Sequence, residues 1–500
     1  MKRPRPSTIA AFAALSVALV ESEIVANSNN FLTVELSSSP TEAASPRIPL
    51  IGLGVGNLPH NRIPFLLATA MDKQQTDLNL EERYHLIDTS HTNPALEVLV
   101  GRSLGRLLAN DSSGKEDYHI IIKVWHTHLG YERTLASVHD SLSDILPGIF
   151  SSGASSDPSS WKKDPRVKVH AVIQYPRCYD TLFSTKYYQS SPNFPVKYSN
   201  CHEEEEAFAK SFRSSEDPSP LEDKLAWKKS YRALEELYHR GILESIGVSN
   251  FGPSDMTDLY EYATIGPHLY MGSLHTLLEG DGMVEDLVKH GVHYICYDAV
   301  SSILEGKEEA TAAYAKIERM GASHGVTSGT DDSNGYSAVQ IVLGWLIQRG
   351  VGIVPGTTDT RHLIENSPQV LSTMPKFNPR EVLDVEMAVQ ALVRGEDMEN
   401  EQGVNIHDVV MTTGENSHED SGIVATFFNS LKRNVRIFKV HPTTGRQIQL
   451  SSSIAPGRSG RVMVDANDVL IAYDGHGSAV KKFLVDADDG VGRVDFSVEL

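Results

Sequence analysis

Five hundred residues exceed one typical domain and set an expectation of two or three. With 40% hydrophobic and 22% charged residues, the composition is that of a globular protein with a sizeable core. Against 65 Asp and Glu stand only 45 Lys and Arg, a net charge of −20 with no basic stripe, which excludes a general nucleic-acid binder.

At the N-terminus Lys2, Arg3 and Arg5 precede the apolar run Thr8 to Val20. This has the layout of a signal or targeting segment over residues 1–26, too short to span a bilayer comfortably, with a cleavage site expected at Ile24-Val25-Ala26. A secretory or organellar destination follows, with a disordered apolar tail and a cytoplasmic protein as the alternative. The sequon Asn110-Asp111-Ser112 fits a secretory route. No other stretch is long enough for a transmembrane helix.

Strands and helices then alternate over residues 45–395. Expected strands are Ile48 to Gly54, His85 to Ser90, Tyr118 to Trp125, Val167 to Tyr175, Ile242 to Asn250, Leu269 to His275, Val292 to Val300 and Val351 to Thr357. They are mostly apolar runs, as strands buried on both faces are. Helical patterns cover Pro94 to Leu108, Glu132 to Leu146, Lys224 to Arg240, Ser254 to Ala263, Met283 to Lys289, Ala310 to Met320, Ser337 to Arg349 and Arg361 to Asn366. Asn378 to Arg394 adds a final amphipathic helix. This order predicts an α/β fold, a closed (β/α)8 TIM barrel. An open doubly wound sheet fits less well, because no GxGxxG follows the first strand.

The most informative stretch is Trp227 to Phe251. An amphipathic helix, Trp227 to Arg240, ends at Gly241, a residue suited to left-handed backbone. Gly247 permits close backbone approach within the next strand. Ser249 and Asn250 then fall at its C-terminal end, where such barrels place ligand-handling residues. Two insertions interrupt the alternation. Ser151 to Ser160 is rich in Ser and Gly. The longer insertion, 177–223, follows the fourth strand and is expected either to hang over the mouth of the barrel as a lid or to be disordered outside it. It carries the acidic run Glu203 to Glu206, read as solvated surface, and Cys178 and Cys201, whose shared loop permits a disulfide. None of the three cysteines has metal-ligand spacing, and Cys296 reads as a core residue.

An acidic linker, 396–420, leads to a change of pattern. Six short strand-like runs separated by turns predict a small all-β sandwich over 421–500. The segment from FFN (residues 427–429) through the Pro456-Gly457 turn resembles the β domain of the von Hippel–Lindau tumour suppressor. In that family the domain reads a hydroxyproline with a Tyr, a Ser, a His and a Trp. Here Ser451, Val464, Asp468 and Leu470 fall in the region, so the resemblance implies a protein-contacting fold without that pocket.

The unit SYRALEELYHRGILESIGVSNF, with HLIDTS and IIIKVW before it, closely resembles the aldo-keto reductases, and the resemblance covers Ile48 to Asn366. It implies an NADP(H)-dependent oxidoreductase acting on small aldehydes or ketones. Such chemistry needs a proton donor for the carbonyl oxygen and a hydride donor above its carbon. Asp88 and Lys123 match the family's Asp and Lys. The family's acidic Tyr falls on Asn93, with Pro94 one residue on, and its His falls on Gln174; neither Asn93 nor Gln174 can shuttle a proton. Substitute acids near in sequence are His91, His126, Tyr131 and Tyr175.

For the cofactor, Ser249 and Asn250 match the nicotinamide carboxamide ligands and Tyr297 the stacking aromatic, while Met271 stands for the family's Gln. Thr357, in Pro355-Gly356-Thr357, and His362, beside Arg361, match the phosphate end. Glu365 and Asn366 match the adenine end. The departures leave NAD as an alternative. Trp125 matches a substrate-pocket aromatic, and no residues imply a metal. Loss of the Tyr and His also implies an alternative to catalysis, a dinucleotide-binding or scaffold protein that contacts a partner through its β domain.

Overall fold

The computed structural model describes residues 25–26, 32–36, 46–72, 82–90, 94–111, 114, 116–146, 164–178, 201–211, 218–279, 282–325 and 335–395. Beyond these it describes 423–428, 434–440, 447–450, 454–455, 459–464, 469–474 and 479–484. Three N-terminal strands, β1 (Val25–Ala26), β2 (Leu32–Glu35) and β3 (Arg47–Pro49), form an antiparallel sheet. Val34 and Leu36 are buried in the main core, so that core reaches back before residue 45.

Eight parallel strands follow: β4 (Leu53–Gly54), β5 (Leu86–Asp88), β6 (Tyr118–Val124), β7 (Val167–Ile173), β8 (Ser245–Ser249), β9 (Leu269–Ser273), β10 (His293–Tyr297) and β11 (Gly352–Ile353). Their order in the sheet is their order in the chain, and every pairing is parallel. The sheet curls, and bonds run between the residues before β4 and β11. Ile51 bridges Ile353, the Gly52 N–H donates to the Ile353 carbonyl at 2.8 Å, and the Ile353 N–H donates to the Leu50 carbonyl at 2.7 Å. The strand interiors are almost continuously buried, as parallel strands covered on both faces must be.

Helices fill the connections: α1 (Ile63–Met71), α2 (Pro94–Asn110), α3 (Tyr131–Ile145), α4 (Cys201–Ser211), α5 (Ala226–His239), α6 (Pro253–Tyr262), α7 (Leu274–Glu279), α8 (Met283–Lys289) and α9 (Ala299–Gly306). The last five are α10 (Thr311–Gly325), α11 (Ala338–Gln348), α12 (Thr360–Glu365), α13 (Pro368–Ser372) and α14 (Pro379–Arg394). Starts and stops follow local chemistry. Ser337 and Asn378 each close a capping box with the Gln or Glu three residues on. Helix α5 ends because Gly241 takes φ +70° and the N–H groups of Ile242 and Leu243 fold back onto the Leu237 carbonyl. That fold-back shortens the strand expected from Ile242 to one beginning at Ser245. The expected strands Leu269 to His275 and Val292 to Val300 are cut at Ser273 and Tyr297 for a different reason, because α7 and α9 start there.

The C-terminal strands lie close to the expected runs. β12 (Ile423–Phe428) pairs with β15 (Ser459–Val464), while β14 (Gln447–Gln449), β13 (Val435–Val440), β16 (Val469–Asp474) and β17 (Ala479–Leu484) form a four-stranded antiparallel sheet in that order. Two sheets, rather than an established sandwich, are what the described residues form. Of the region likened to a peptide-reading surface, Leu470 is buried, while Ser451 and Asp468 lie outside the described residues. The expected targeting segment and linker also lie outside them, except for Val25 and Ala26, which sit in β1.

Two outcomes follow. A Cβ on Gly247 would lie 2.2 Å from the Leu269 carbonyl oxygen, so Gly247→Ala forces β8 and β9 apart; urea unfolding should show a loss of roughly 1–3 kcal/mol. His293 is buried, and desolvation pulls its imidazole down to about 3 from the ordinary 6.5. Below pH 6.5 the unfolded chain therefore takes up a proton that the folded chain refuses, and stability falls until about pH 3. Relative to wild type, His293→Leu should remove a slope of up to about 1.4 kcal/mol per pH unit in that window, read from urea midpoints.

Candidate functional site

The parallel register sends the C-terminal ends of all eight strands to one rim, and the sequence-expected residues stand there. Asp88 ends β5, Lys123 is the penultimate residue of β6, Gln174 follows β7, Ser249 ends β8 and Tyr297 ends β10. The Lys123 ammonium bridges both Asp88 oxygens, at 2.7 Å to Oδ2 and 2.6 Å to Oδ1. Both side chains are nearly buried. Burial pushes the Asp88 carboxyl above the usual range, and the Lys123 charge and hydrogen bond pull it back. Among the described residues no Tyr or His hydrogen-bonds Lys123. Asn93 and His91 lie outside the described residues.

Beside this pair is a closed polar network. Asn250 takes left-handed backbone, φ +58°, directly after β8, a geometry Asn tolerates. Its Nδ2 donates to the Gln174 carbonyl and to Ser249 Oγ, both at 3.1 Å. The Tyr297 hydroxyl donates to its Oδ1. Met271 pairs with Ser249 and accepts from the Asn250 N–H at 3.3 Å. In contrast, the Gln174 side-chain oxygen is buried with no hydrogen-bond partner among the described residues.

Sequence reasoning missed Asp298. It follows Tyr297 with φ +54°, the same strand-end turn as Asn250. Its carboxyl is held above its ordinary range first by desolvation, then by the charges of Glu305 and Asp88, with Lys123 acting oppositely. The residue is nonetheless solvent-exposed, the combination expected of a side chain lining a concavity. Its position directly after the singled-out Tyr297 was the available signal.

The acidic run is a correction. Glu203 and Glu206 are exposed, but Glu204 and Glu205 turn inward from α4. Glu204 Oε2 accepts from Trp125 Nε1 at 3.0 Å and lies 2.6 Å from His126 Nε2. Arg133 Nη1 donates to both Glu205 oxygens, at 2.9 and 3.1 Å. Cys201, Glu204, Glu205 and Phe208 recur at i, i+3, i+4 and i+7, a one-faced helical pattern that could have been read from the sequence. Cys178 and Cys201 are disulfide-bonded.

The substitute acids separate. Tyr175 packs edge-on to Trp125 with ring centroids 5.5 Å apart, and His126 is held by Glu204. Tyr131 bonds Glu236 on α5, and burial together with that carboxylate pushes its hydroxyl up to about 12.

At the expected phosphate end, Thr357 Oγ1 accepts from the Asp359 N–H at 3.1 Å, and Asp359 caps α12 by accepting from the Arg361 N–H at 2.8 Å. The anion at this helix start is thus the chain's own carboxylate, held below its usual range first by that backbone bond. Arg361 and His362 are exposed, with Arg361 Nη2 3.2 Å from His362 Nε2. Glu365 lies 3.7 Å from Arg361, and Asn366 is buried. Among the described residues no cluster of three or more His, Cys, Asp or Glu could hold a metal ion, and no helix is long and apolar enough to cross a membrane.

Residues 195–379 match the sequence pattern of the family described as "Aldo/keto reductase family". A probable NAD(P)H-dependent D-xylose reductase of Arthroderma otae is 27% identical over 140 residues, 28% of this chain and 42% of that protein. The match thus spans less than half of that relative's length. A second, of Emericella nidulans, is 23% identical over 54% of this chain and 72% of its own. The NAD(P)H-dependent D-xylose reductase of Kluyveromyces lactis is 22% identical over 66% of this chain and 87% of its own. Among solved structures, an aldo/keto reductase from Brucella melitensis has a TM-score of 0.46 and 18% identity, covering 72% of this chain and 99% of that one. By the family pattern over residues 195–379, the chain resembles the aldo-keto reductases at the level of the superfamily.

Lys123→Met strips the buried Asp88 of its cation. Breaking such a pair typically costs about 3–5 kcal/mol, and the double variant Asp88→Asn/Lys123→Met should recover part of that loss in urea unfolding at pH 7.

Proposed function

We propose that the chain is an aldo-keto-reductase-like oxidoreductase of the NADP(H) type, with NAD as the alternative, acting on small aldehydes or ketones with an incomplete catalytic set. Its sheet closes as a (β/α)8 barrel, a reading supported by the bonds between Leu50–Gly52 and Ile353. The observation that carries the function is the buried Lys123–Asp88 pair beside the Tyr297–Asn250–Ser249 network at one strand-end rim. The orphaned Gln174 oxygen fits a donor such as a carboxamide NH2. Ser249, Asn250, Gln174 and Tyr297 would hold the nicotinamide end, and Thr357, His362, Glu365 and Asn366 the adenosine end. The self-capped α12 favours no additional anion there, which leaves the exposed Arg361 guanidinium, with His362 beside it, to face a phosphate.

A reduced nicotinamide supplies hydride when bound. The chain's own part is to polarise the carbonyl. Lys123 offers a fixed positive charge and Gln174 an amide N–H donor, while the Tyr acid of the family is replaced by Asn93. Stabilisation of a developing oxyanion survives this change, and rapid proton delivery does not, since general acid catalysis is typically worth ~10² to 10⁴ in rate. Slow turnover is the consequence. The second reading, a dinucleotide-binding scaffold, is favoured by one observation, that Lys123 has Asp88 as its only hydrogen-bond partner among the described residues. In either case the C-terminal sheets serve as the partner-contacting module. The Cys178–Cys201 bond supports a secretory or organellar compartment over the cytoplasm.

Titration with NADPH and NADH, followed by protein fluorescence, should saturate below millimolar concentration. Absence of saturation with either overturns the redox reading. With cofactor bound, Lys123→Met should lower kcat/KM for a reactive aldehyde roughly 10²-fold while leaving cofactor affinity within a few-fold. Saturable binding with no aldehyde-dependent oxidation of NADPH selects the scaffold.

A further inference from the structure

Within the insertion after β7, the described helix α4 is tied to its surroundings by a disulfide and several side-chain contacts. Helix α4 begins at Cys201, which is joined to Cys178 just beyond the end of β7, and both cysteines are buried. One turn on, Glu204 takes the Trp125 indole N–H and sits 2.6 Å from His126, the two residues that follow β6. Glu205 holds the buried guanidinium of Arg133 on α3. A further turn on, the Phe208 ring lies 4.2 Å from that of His128 and under the Arg133 guanidinium at 5.0 Å. These side chains recur along one face of α4; Cys201 is joined to Cys178 beyond β7, while the partners of Glu204, Glu205 and Phe208 lie between the end of β6 and the first turn of α3.

We propose that α4 is a disulfide-anchored wall of the candidate site, in which Glu204 is the positioning residue for Trp125 and His126 and the Cys178–Cys201 bond holds Glu204 in reach of them. The proposal uses the reading of the strand-end rim as a ligand site only to give Trp125 its role as a pocket aromatic. The physical logic is local. A carboxylate that accepts from an indole and faces an imidazole fixes both rings, and a buried charged group is costly to withdraw once its partners are desolvated. The helix is short, and eleven residues are marginal on their own. Its placement therefore rests on these tertiary contacts and on the covalent tether at its first residue. A dithiol reductant breaks the S–S bond. Cys178 and Cys201 each gain a hydrogen as thiols, and the reductant closes to its own disulfide. The helix then loses its anchor at the end nearest Glu204.

The test reads Trp125 directly in the full chain, without cofactor or turnover, so its outcome is independent of the reductase reading. The chain has four tryptophans, and subtracting Trp125→Phe isolates the one of interest. Glu204→Gln should give a roughly twofold rise in acrylamide quenching of Trp125 with unchanged far-ultraviolet dichroism, as expected of a local opening. Because the cysteines are buried, the reduced state is reached by prolonged dithiol treatment and by Cys178→Ser/Cys201→Ser; both should give the same rise, and dithiol should add nothing to the double variant. Unchanged quenching in Glu204→Gln overturns the positioning role. Unchanged quenching on reduction, verified by thiol titration, overturns the anchor. NADPH affinity measured alongside reports on the redox reading alone.

Discussion

Register governs this molecule. Eight strands lie in the sheet in chain order and all run parallel, so each connection must climb back over the sheet and every strand ends at the same rim. The register depends on close backbone contact at a few places. The tightest described within the sheet are at Gly247, against the Leu269 carbonyl, and at Gly54, where a Cβ would lie 2.6 Å from the Val354 carbonyl. If β8 moved away from β9, Ser249 would lose its level beside Met271, and the Asn250 turn that follows would no longer meet Gln174 and Tyr297. The chemistry at the rim inherits its geometry from contacts made lower in the sheet.

That rim is largely satisfied from within. Lys123 neutralises Asp88, and Asn250 spends its amide on Gln174, Ser249 and Tyr297. Among the described residues, the Gln174 oxygen is buried without a partner, and the Asp298 carboxyl shares Lys123 electrostatically with Asp88. Among the described residues of the rim, one cation, Lys123, stands between two carboxylates, Asp88 and Asp298. In the outer segment, the exposed Arg361 and His362 stand beside the exposed Asp359 carboxylate.

Much of this was legible in the sequence because it rests on local signals. The apolar runs located all eight strands, and Gly241, Ser249 and Asn250 could be placed from the pattern of helix, glycine and strand. Asp88 and Lys123 were readable from the short apolar strings that carry them. Strand ends were less legible. Ile242 and Leu243 look like strand residues, yet their N–H groups fold back onto Leu237, a matter of hydrogen-bond competition that apolar character does not encode. The acidic run shows the opposite failure. Four consecutive glutamates suggest solvent, but helical geometry points two of them inward to Arg133 and to Trp125 and His126. Composition hid what periodicity would have disclosed. The matched phosphate end hides a similar case, since the start of α12 already has an anion in Asp359.

The bond between Cys178 and Cys201 has a consequence for the covalent path of the chain. The two cysteines are 23 positions apart, so the insertion between them forms a closed ring in the backbone graph. A single peptide bond cut anywhere in that ring leaves the strands before it, β4 to β7, covalently joined to β8 to β11 after it. The chain is therefore nick-tolerant between Cys178 and Cys201, within its longest interruption. A cleaved molecule would migrate as one species until reduced, and the two halves of the sheet would not dissociate. Sequence length inserted at this point is thereby uncoupled from the integrity of the sheet, a topological insurance that none of the noncovalent contacts at the rim provides.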